Sequence, residues 1–275
     1  MSYLGIDVGA TKIAGGLVSN GEIKKTFEVK TKSKAKKEVV IAQVFEVISN
    51  LMETGVKGIG IGVPTVVDDK GMLYETHNIP SWKKLNLKKI VEQKFKTPVL
   101  IENDAKCFAI GEKHYGKGKK FRNFACITIG SGLGTGIIIE NKIFRGKNGC
   151  SGEFGHAPYM DGELENYCTK QFFSKRNLDA REVYEKALKG DAEAIALFEE
   201  FGNNLGEALA MVINALAPEA IILGGSISHA NRFFKTSMIA SLKKYTFKQS
   251  ASGLKILYSS RYHSGILGAA ALFKC

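Results

Sequence analysis

Residues 3–20, YLGIDVGATKIAGGLVSN, and residues 124–141, FACITIGSGLGTGIIIEN, carry one pattern twice. Laid on each other without a gap, Ile6 and Val8 fall on Ile127 and Ile129, and Gly9 falls on Gly130. Gly15 meets Gly136, Leu17 and Val18 meet Ile138 and Ile139, and Asn20 meets Asn141. Each copy reads as two apolar β runs joined by a glycine-rich turn. Helix and strand patterns follow each copy, as two halves built on one plan would require. Two similar α/β domains with a cleft between them are therefore expected, and ligands commonly bind in such clefts.

Outward from the first copy comes a basic, polar connector. Val40, Val44, Val47, Ile48, Leu51 and Met52 then recur at helical spacing, which predicts a helix over 38–54. GIGIGV at 58–63 is a short buried strand stopped by Pro64. Leu85–Lys96 reads as helix and Pro98–Ile101 as strand, and at Asp104 that strand hands over to a helix. Beyond the second copy, 181–217 reads as strongly helical, ended by Pro218. Ala220–Leu223 is a strand feeding Gly224 and Gly225, and 264–273 is a small-residue helix able to pack closely on another element. Strands alternating with helices give an α/β class.

Composition narrows the function. The 275 residues suit two domains, and 44% apolar with 24% charged residues is the balance of a folded globular chain. No apolar run is long enough to span a bilayer, and the N-terminus reads without a basic, apolar leader. Cys107, Cys126, Cys150, Cys168 and Cys275 are scattered and odd in number, as suits reduced thiols in a cytoplasm. The net charge of +12 gathers in Lys24–Lys37 and Lys113–Arg122. Neither stretch lies in a DNA-binding motif, so solvated basic loops that attract anionic nucleotide are expected, with no specific nucleic-acid partner and no membrane partner.

Two glycine-rich turns point to phosphate, since backbone N–H groups reach phosphate oxygens only where no Cβ intervenes. A GxxxxGK[ST] loop is absent, and Gly130, Gly132 and Gly134 give GxGxG followed by a strand, so neither a P-loop nor a dinucleotide fingerprint is present. Asp7 stands inside an apolar strand, where a carboxylate needs a partner. Lys12 could supply it. The favoured reading is a Mg²⁺ held through water, with Thr11 and Lys12 reaching the transferred phosphoryl group. Asp104 could be a helix N-cap, a general base for a sugar hydroxyl, or both. Asn103, Glu153, His156 and Glu165 complete a polar set suited to a sugar.

In this order, DVGATK (7–12), GIGIGVP (58–64), NIPSW (78–82), IENDAK (101–106), GSGLGTG (130–136), GEFGH (152–156) and ILGGSIS (222–228) resemble the ROK family of repressors and sugar kinases. That family belongs to the actin-like, ribonuclease H-like and hexokinase-like ATPase superfold. The resemblance implies an N-terminal phosphate-binding domain of residues 1–104 with 262–275, and a C-terminal domain of residues 105–261 with sugar and nucleotide contacts. It assigns Asp7, Gly9, Thr11 and Lys12 to the first phosphate motif, Gly130, Gly132 and Gly134 to the second, and Gly224 and Gly225 to the adenosine side. Asp104 matches the catalytic base, and Asn78, Asn103, Glu153, His156 and Glu165 match sugar contacts. Family members usually bind zinc with a CxCGxxGC run shortly after the GH pair. Here APYMDGEL stands between His156 and Glu165 and holds no cysteine, so no zinc is expected. A second departure is Thr65, where many sugar-kinase members have glycine.

The reading is thus a cytoplasmic, homodimeric kinase moving the γ-phosphoryl group of ATP to a hexose, glucose first, with Mg²⁺. N-acetylmannosamine, N-acetylglucosamine or fructose are alternative acceptors, and polyphosphate an alternative donor. A sugar-sensing regulator is the competing class, disfavoured because the kinase-like core starts within the first few residues.

Overall fold

The computed structural model describes residues 1–76, 78–260 and 263–275. The chain divides into two compact units: residues 1–122 with 136–151 and 260–275, and residues 123–135 with 152–259.

The first unit opens with β1 (Ser2–Val8), β2 (Lys12–Ser19) and β3 (Glu22–Lys30), followed by α1 (Lys37–Leu51) and β4 (Val56–Val63). A short hairpin of β5 (Leu73–Glu75) and β6 (Lys83–Leu85) leads to α2 (Leu87–Phe95), β7 (Val99–Asn103) and α3 (Asp104–Tyr115). The sheet runs β3-β2-β1-β4-β7, with β1 antiparallel to β2 and parallel to β4, and β4 parallel to β7. The connector expected after β2 is in fact the edge strand β3. Ile23, Phe27 and Val29 alternate toward partly buried positions, while Lys24, Lys25 and Lys30 stay exposed, so charge hid a strand that needs only one apolar face. Helix α1 buries Val40, Ile41, Val44, Val47, Ile48 and Leu51 in a core with Leu4, Ile6, Ile59 and Ile61. Each such side chain contributes roughly 1.5–3 kcal/mol.

Next come β8 (Phe124–Ile129), β9 (Leu133–Ile139) and β10 (Lys142–Ile143), then a β11 (Pro158–Tyr159) and β12 (Gly162–Glu163) pair. Helices α4 (Leu164–Tyr167), α5 (Lys170–Ser174), α6 (Ala180–Leu188) and α7 (Ala192–Leu216) follow. The chain then forms β13 (Ala220–Gly224), α8 (Asn231–Tyr245), β14 (Lys255–Tyr258) and α9 (Ser264–Ala271). The second sheet runs β10-β9-β8-β13-β14, with β8, β13 and β14 parallel. Position for position this is the order of the first sheet, as the internal repeat requires. The helical stretch 181–217 holds two helices, because Gly190 at φ +86° turns the chain and Asp191 caps α7 through Ala194 N–H. Behind the second sheet, Phe172, Phe173, Phe198, Phe201 and Phe234 form an aromatic core with neighbouring ring centroids 5.0–5.8 Å apart.

Helix α9 belongs to the first unit, packed on β1, β4 and α3. A Cβ on Gly60 would lie 1.8 Å from Ala269 O, and one on Gly268 1.6 Å from Cys107 O. The helix therefore lies backbone to backbone against its neighbours, which explains its small-residue sequence.

Candidate active site

In the first unit, the polar residues gather at the carboxyl ends of parallel strands, where open α/β sheets hold their ligands. Asp7, next to the end of β1, is paired in register with Gly62 of β4. The space beside Gly62 is bounded by Cys107 and Asp104, whose Sγ and Cα would be 3.3 and 3.6 Å from a Cβ there. Two carboxylate-bearing residues thus stand beside one glycine. The turn after Asp7 closes through Gly9 N–H to Lys12 C=O at 2.9 Å, and Thr31 steadies it from β3's end, donating its hydroxyl to Gly9 C=O at 2.8 Å. Thr11 is exposed.

Part of Asp7 remains accessible, but the groups packed around its carboxyl strip away water, and burial pushes its pKa up to about 6. The positive charge of Lys12 works against that rise. The Lys12 ammonium itself is engaged by Glu28 of β3 at 2.9 Å.

The cap of α3 is Asn103, not Asp104. Asn103 Oδ1 accepts Lys106 N–H at 3.2 Å, and its Nδ2 donates to Thr65 C=O at 3.3 Å. Asp104 occupies the first helical position, where its Oδ1 accepts Ala105 N–H at 2.8 Å and the helix dipole favours its charge. The capping explanation for that aspartate is therefore carried by its neighbour. Asn78 lies exposed on a turn anchored by the buried Ile79 and Trp82.

Two supporting interactions escaped the sequence reading. Glu102, 2% exposed, accepts Arg145 Nε–H at 2.6 Å and Asn103 N–H at 2.8 Å. Lys106 is fully buried, and its ammonium donates to Gly149 C=O at 2.6 Å. Both hold the segment 145–149 against the start of α3. A charged residue on each side of Asn103–Asp104 was the available signal; the partners lie some forty residues on, where no spacing rule reaches them.

In the second unit, the turn at Gly130, Gly132 and Gly134 is fixed from α4 and α5. Leu133 N–H donates to Glu165 Oε2 at 3.1 Å, and Lys170 N–H donates to Gly130 C=O at 2.9 Å. Glu165 Oε1 accepts Gln171 Nε2–H at 2.9 Å, so both carboxylate oxygens brace protein groups. Gly224 and Gly225 sit beside this turn. Gly225 has φ +84°, and a Cβ on it would lie 2.3 Å from Ile129 O, so only glycine lets β13 leave past the end of β8. His156, exposed at the end of a short helical turn over Phe154–His156, holds Glu163 Oε2 at 3.0 Å through Nδ1 and faces Glu153 Oε2 at 4.0 Å from Nε2. The Glu163 bond raises the imidazole pKa against desolvation, aided by the charges of Glu163, Glu153 and Glu165.

A family model described as the ROK family matches residues 3–275. The chain belongs to the ROK family. It is similar to a glucokinase of Halalkalibacterium halodurans, 28% identical over 313 residues that cover 99% of this chain and 94% of the relative. It is also similar to a xylose repressor of Bacillus spizizenii, 29% identical over 279 residues covering 94% of this chain and 72% of the repressor. Among solved structures, a ROK family glucokinase from Streptomyces griseus in complex with glucose and AMPPNP superposes with a TM-score of 0.87 at 30% identity, covering 99% of both chains. The α/β architecture read from the repeat is thus that of a ROK protein with the actin-like fold.

The charge of this ROK chain is unevenly shared. The first unit holds 27 of the 39 basic and 14 of the 27 acidic residues, a net of +13, whereas the second holds 12 and 13, a net of −1. The basic surface therefore belongs to the unit that carries Asp7 and Asp104. Among the described residues, no helix is long and apolar enough to cross a membrane, and no group of three His, Cys, Asp or Glu side chains is arranged to hold a metal ion. All five cysteines are free thiols.

Proposed function

We propose that this chain is an ATP-dependent sugar kinase that moves the γ-phosphoryl group to a hexose hydroxyl, with glucose as the first candidate and Asp104 as base. The observation that carries the reading is the placement of both Asp7 and Asp104 beside Gly62 at the carboxyl edge of one sheet. Phosphoryl transfer needs charge control at the phosphates and a carboxylate that orients the attacking hydroxyl, and these two residues suit those tasks. Asn103 rather than Asp104 caps α3, and Gly9, Thr11 and Lys12 form the turn next to Asp7. Gly130, Gly132 and Gly134 are assigned to phosphate, and Gly224 and Gly225 to the adenosine side. Asn78, Asn103, Glu153, His156 and Glu165 are assigned to the sugar.

Magnesium fits Asp7. The ion takes few protein carboxylates and keeps its waters, so one carboxylate short of counter-charge is a suitable donor. When bound, it would supply positive charge at the nucleotide phosphates. Likeness to glucokinases supports the acceptor, and free thiols support a cytoplasmic setting.

Likeness to the xylose repressor supports a second reading, a sugar-sensing regulator that binds without turnover. An assay of sugar-phosphate formation with ATP, and then polyphosphate, as donor against glucose, N-acetylmannosamine, N-acetylglucosamine, fructose and xylose separates the two. Turnover of a hexose is expected. Sugar binding by calorimetry with no turnover on any donor would reverse the assignment in favour of the regulator.

A further inference from the structure

We propose that Glu163 is a positioning residue for the acceptor sugar: it holds His156 by Nδ1, so that Nε2–H and the Glu153 carboxylate form a donor–acceptor pair for one sugar hydroxyl. The inference rests on the assignment of His156 to sugar binding, which the kinase and regulator readings share.

A carboxylate can only accept a hydrogen bond, so the 3.0 Å contact between Glu163 Oε2 and His156 Nδ1 places a proton on Nδ1. That fixes the ring's orientation. It also means that Nε2 is an acceptor in the neutral ring and a donor in the imidazolium. On the other side of the ring, Nε2 stands 4.0 Å from Glu153 Oε2, wider than a direct hydrogen bond. A hydroxyl oxygen can lie within about 2.8 Å of both atoms, giving its proton to Glu153 and accepting Nε2–H. Among the described residues, the carboxylates whose charge acts on His156 are Glu153 on its own turn, Glu163 at the entrance to α4 and Glu165 within α4, and all three favour the imidazolium.

Glu163 is well placed to hold the ring. It follows the tight β11–β12 turn and stands at the N-cap position of α4, with its backbone N–H donated to Asn166 Oδ1 at 3.2 Å. Its partner His156 closes the Phe154–His156 turn through N–H to Glu153 C=O at 3.2 Å. Both side chains are about half exposed, 51% for His156 and 49% for Glu163. An ion pair so exposed adds little to stability. Orientation and charge at Nε2 are what it supplies. The sequence between His156 and Glu165 offers no cysteine to brace the imidazole, and this carboxylate takes the ring nitrogen instead.

The test uses Glu163→Gln and Glu163→Ala with glucose as probe. Long-range proton–nitrogen spectra should show His156 protonated at Nδ1 in the neutral ring, and a His156 pKa that falls in both variants. Glucose affinity by calorimetry should drop about tenfold in Glu163→Ala at all pH values, the scale of one charge-assisted hydrogen bond. In Glu163→Gln, which keeps an acceptor but loses the charge, the drop should appear only as pH rises, starting at a lower pH than in the wild type. A His156 pKa and tautomer unchanged by Glu163→Gln would overturn the proposal, whatever the enzyme does with ATP. So would glucose affinity with the same pH profile in all three proteins. Normal pH-dependent glucose binding without ADP release would defeat only the kinase reading.

Discussion

Replacing Asp7 by Asn should make the protein more stable at neutral pH while removing its catalysis. Burial raises the Asp7 pKa from 3.8 to about 6, a little over two factors of ten in the proton equilibrium. At about 1.4 kcal/mol for each factor, the ionised carboxylate costs the folded state roughly 3 kcal/mol above pH 6. The sign follows from linkage. Between pH 3.8 and 6 the folded chain binds more protons at this group than the unfolded chain, so its contribution to stability falls as pH rises. Asn is close to the same shape and carries no charge. Urea denaturation should therefore give Asp7→Asn an advantage of about 3 kcal/mol at pH 7.5, narrowing to about 1 kcal/mol at pH 4.5. Millimolar MgCl₂ with ATP should close part of that gap by binding the folded wild type alone. An Asn variant equal to or weaker than the wild type at pH 7.5 would show that the carboxylate is already compensated, by Lys12 or another group, and would refute the desolvation argument.

Three further outcomes can be checked directly. Asp104→Asn should lower kcat by about two orders of magnitude or more while leaving the sugar Kd within about tenfold, and retained turnover would remove Asp104 as base. Gly60→Ala should lose about 3 kcal/mol or more of stability, because its Cβ would meet Ala269 O at 1.8 Å; an unchanged urea midpoint would contradict the backbone contact with α9. A zinc-selective chelator that spares Mg²⁺ should leave activity intact, since structural zinc needs four close ligands and the segment between His156 and Glu165 supplies no thiolate; loss of activity together with stoichiometric zinc would reveal a site built otherwise.

The sequence alone was enough to establish the repeated strand–turn–strand unit, the alternation that makes an α/β fold, and the candidate carboxylates at Asp7 and Asp104. Those features are local: a period of two, a glycine where backbone must turn, an acid in an apolar strand. It did not yield β3, because Lys24, Lys25 and Lys30 mask an edge strand that needs apolar residues on one face only. Tertiary structure decided what the local pattern could not. That Asn103 rather than Asp104 caps α3 depends on which side chain turns back onto Lys106 N–H. That Glu165 spends both oxygens on Leu133 and Gln171, and that Glu163 takes the imidazole of His156, depends on loops folding back within one unit. Arg145 reaches Glu102 and Gly149 reaches Lys106 across more than forty residues of chain. Hydrogen bonds have a range of about 3 Å in space and none in sequence, so a partner is legible only when chain geometry alone brings it within reach.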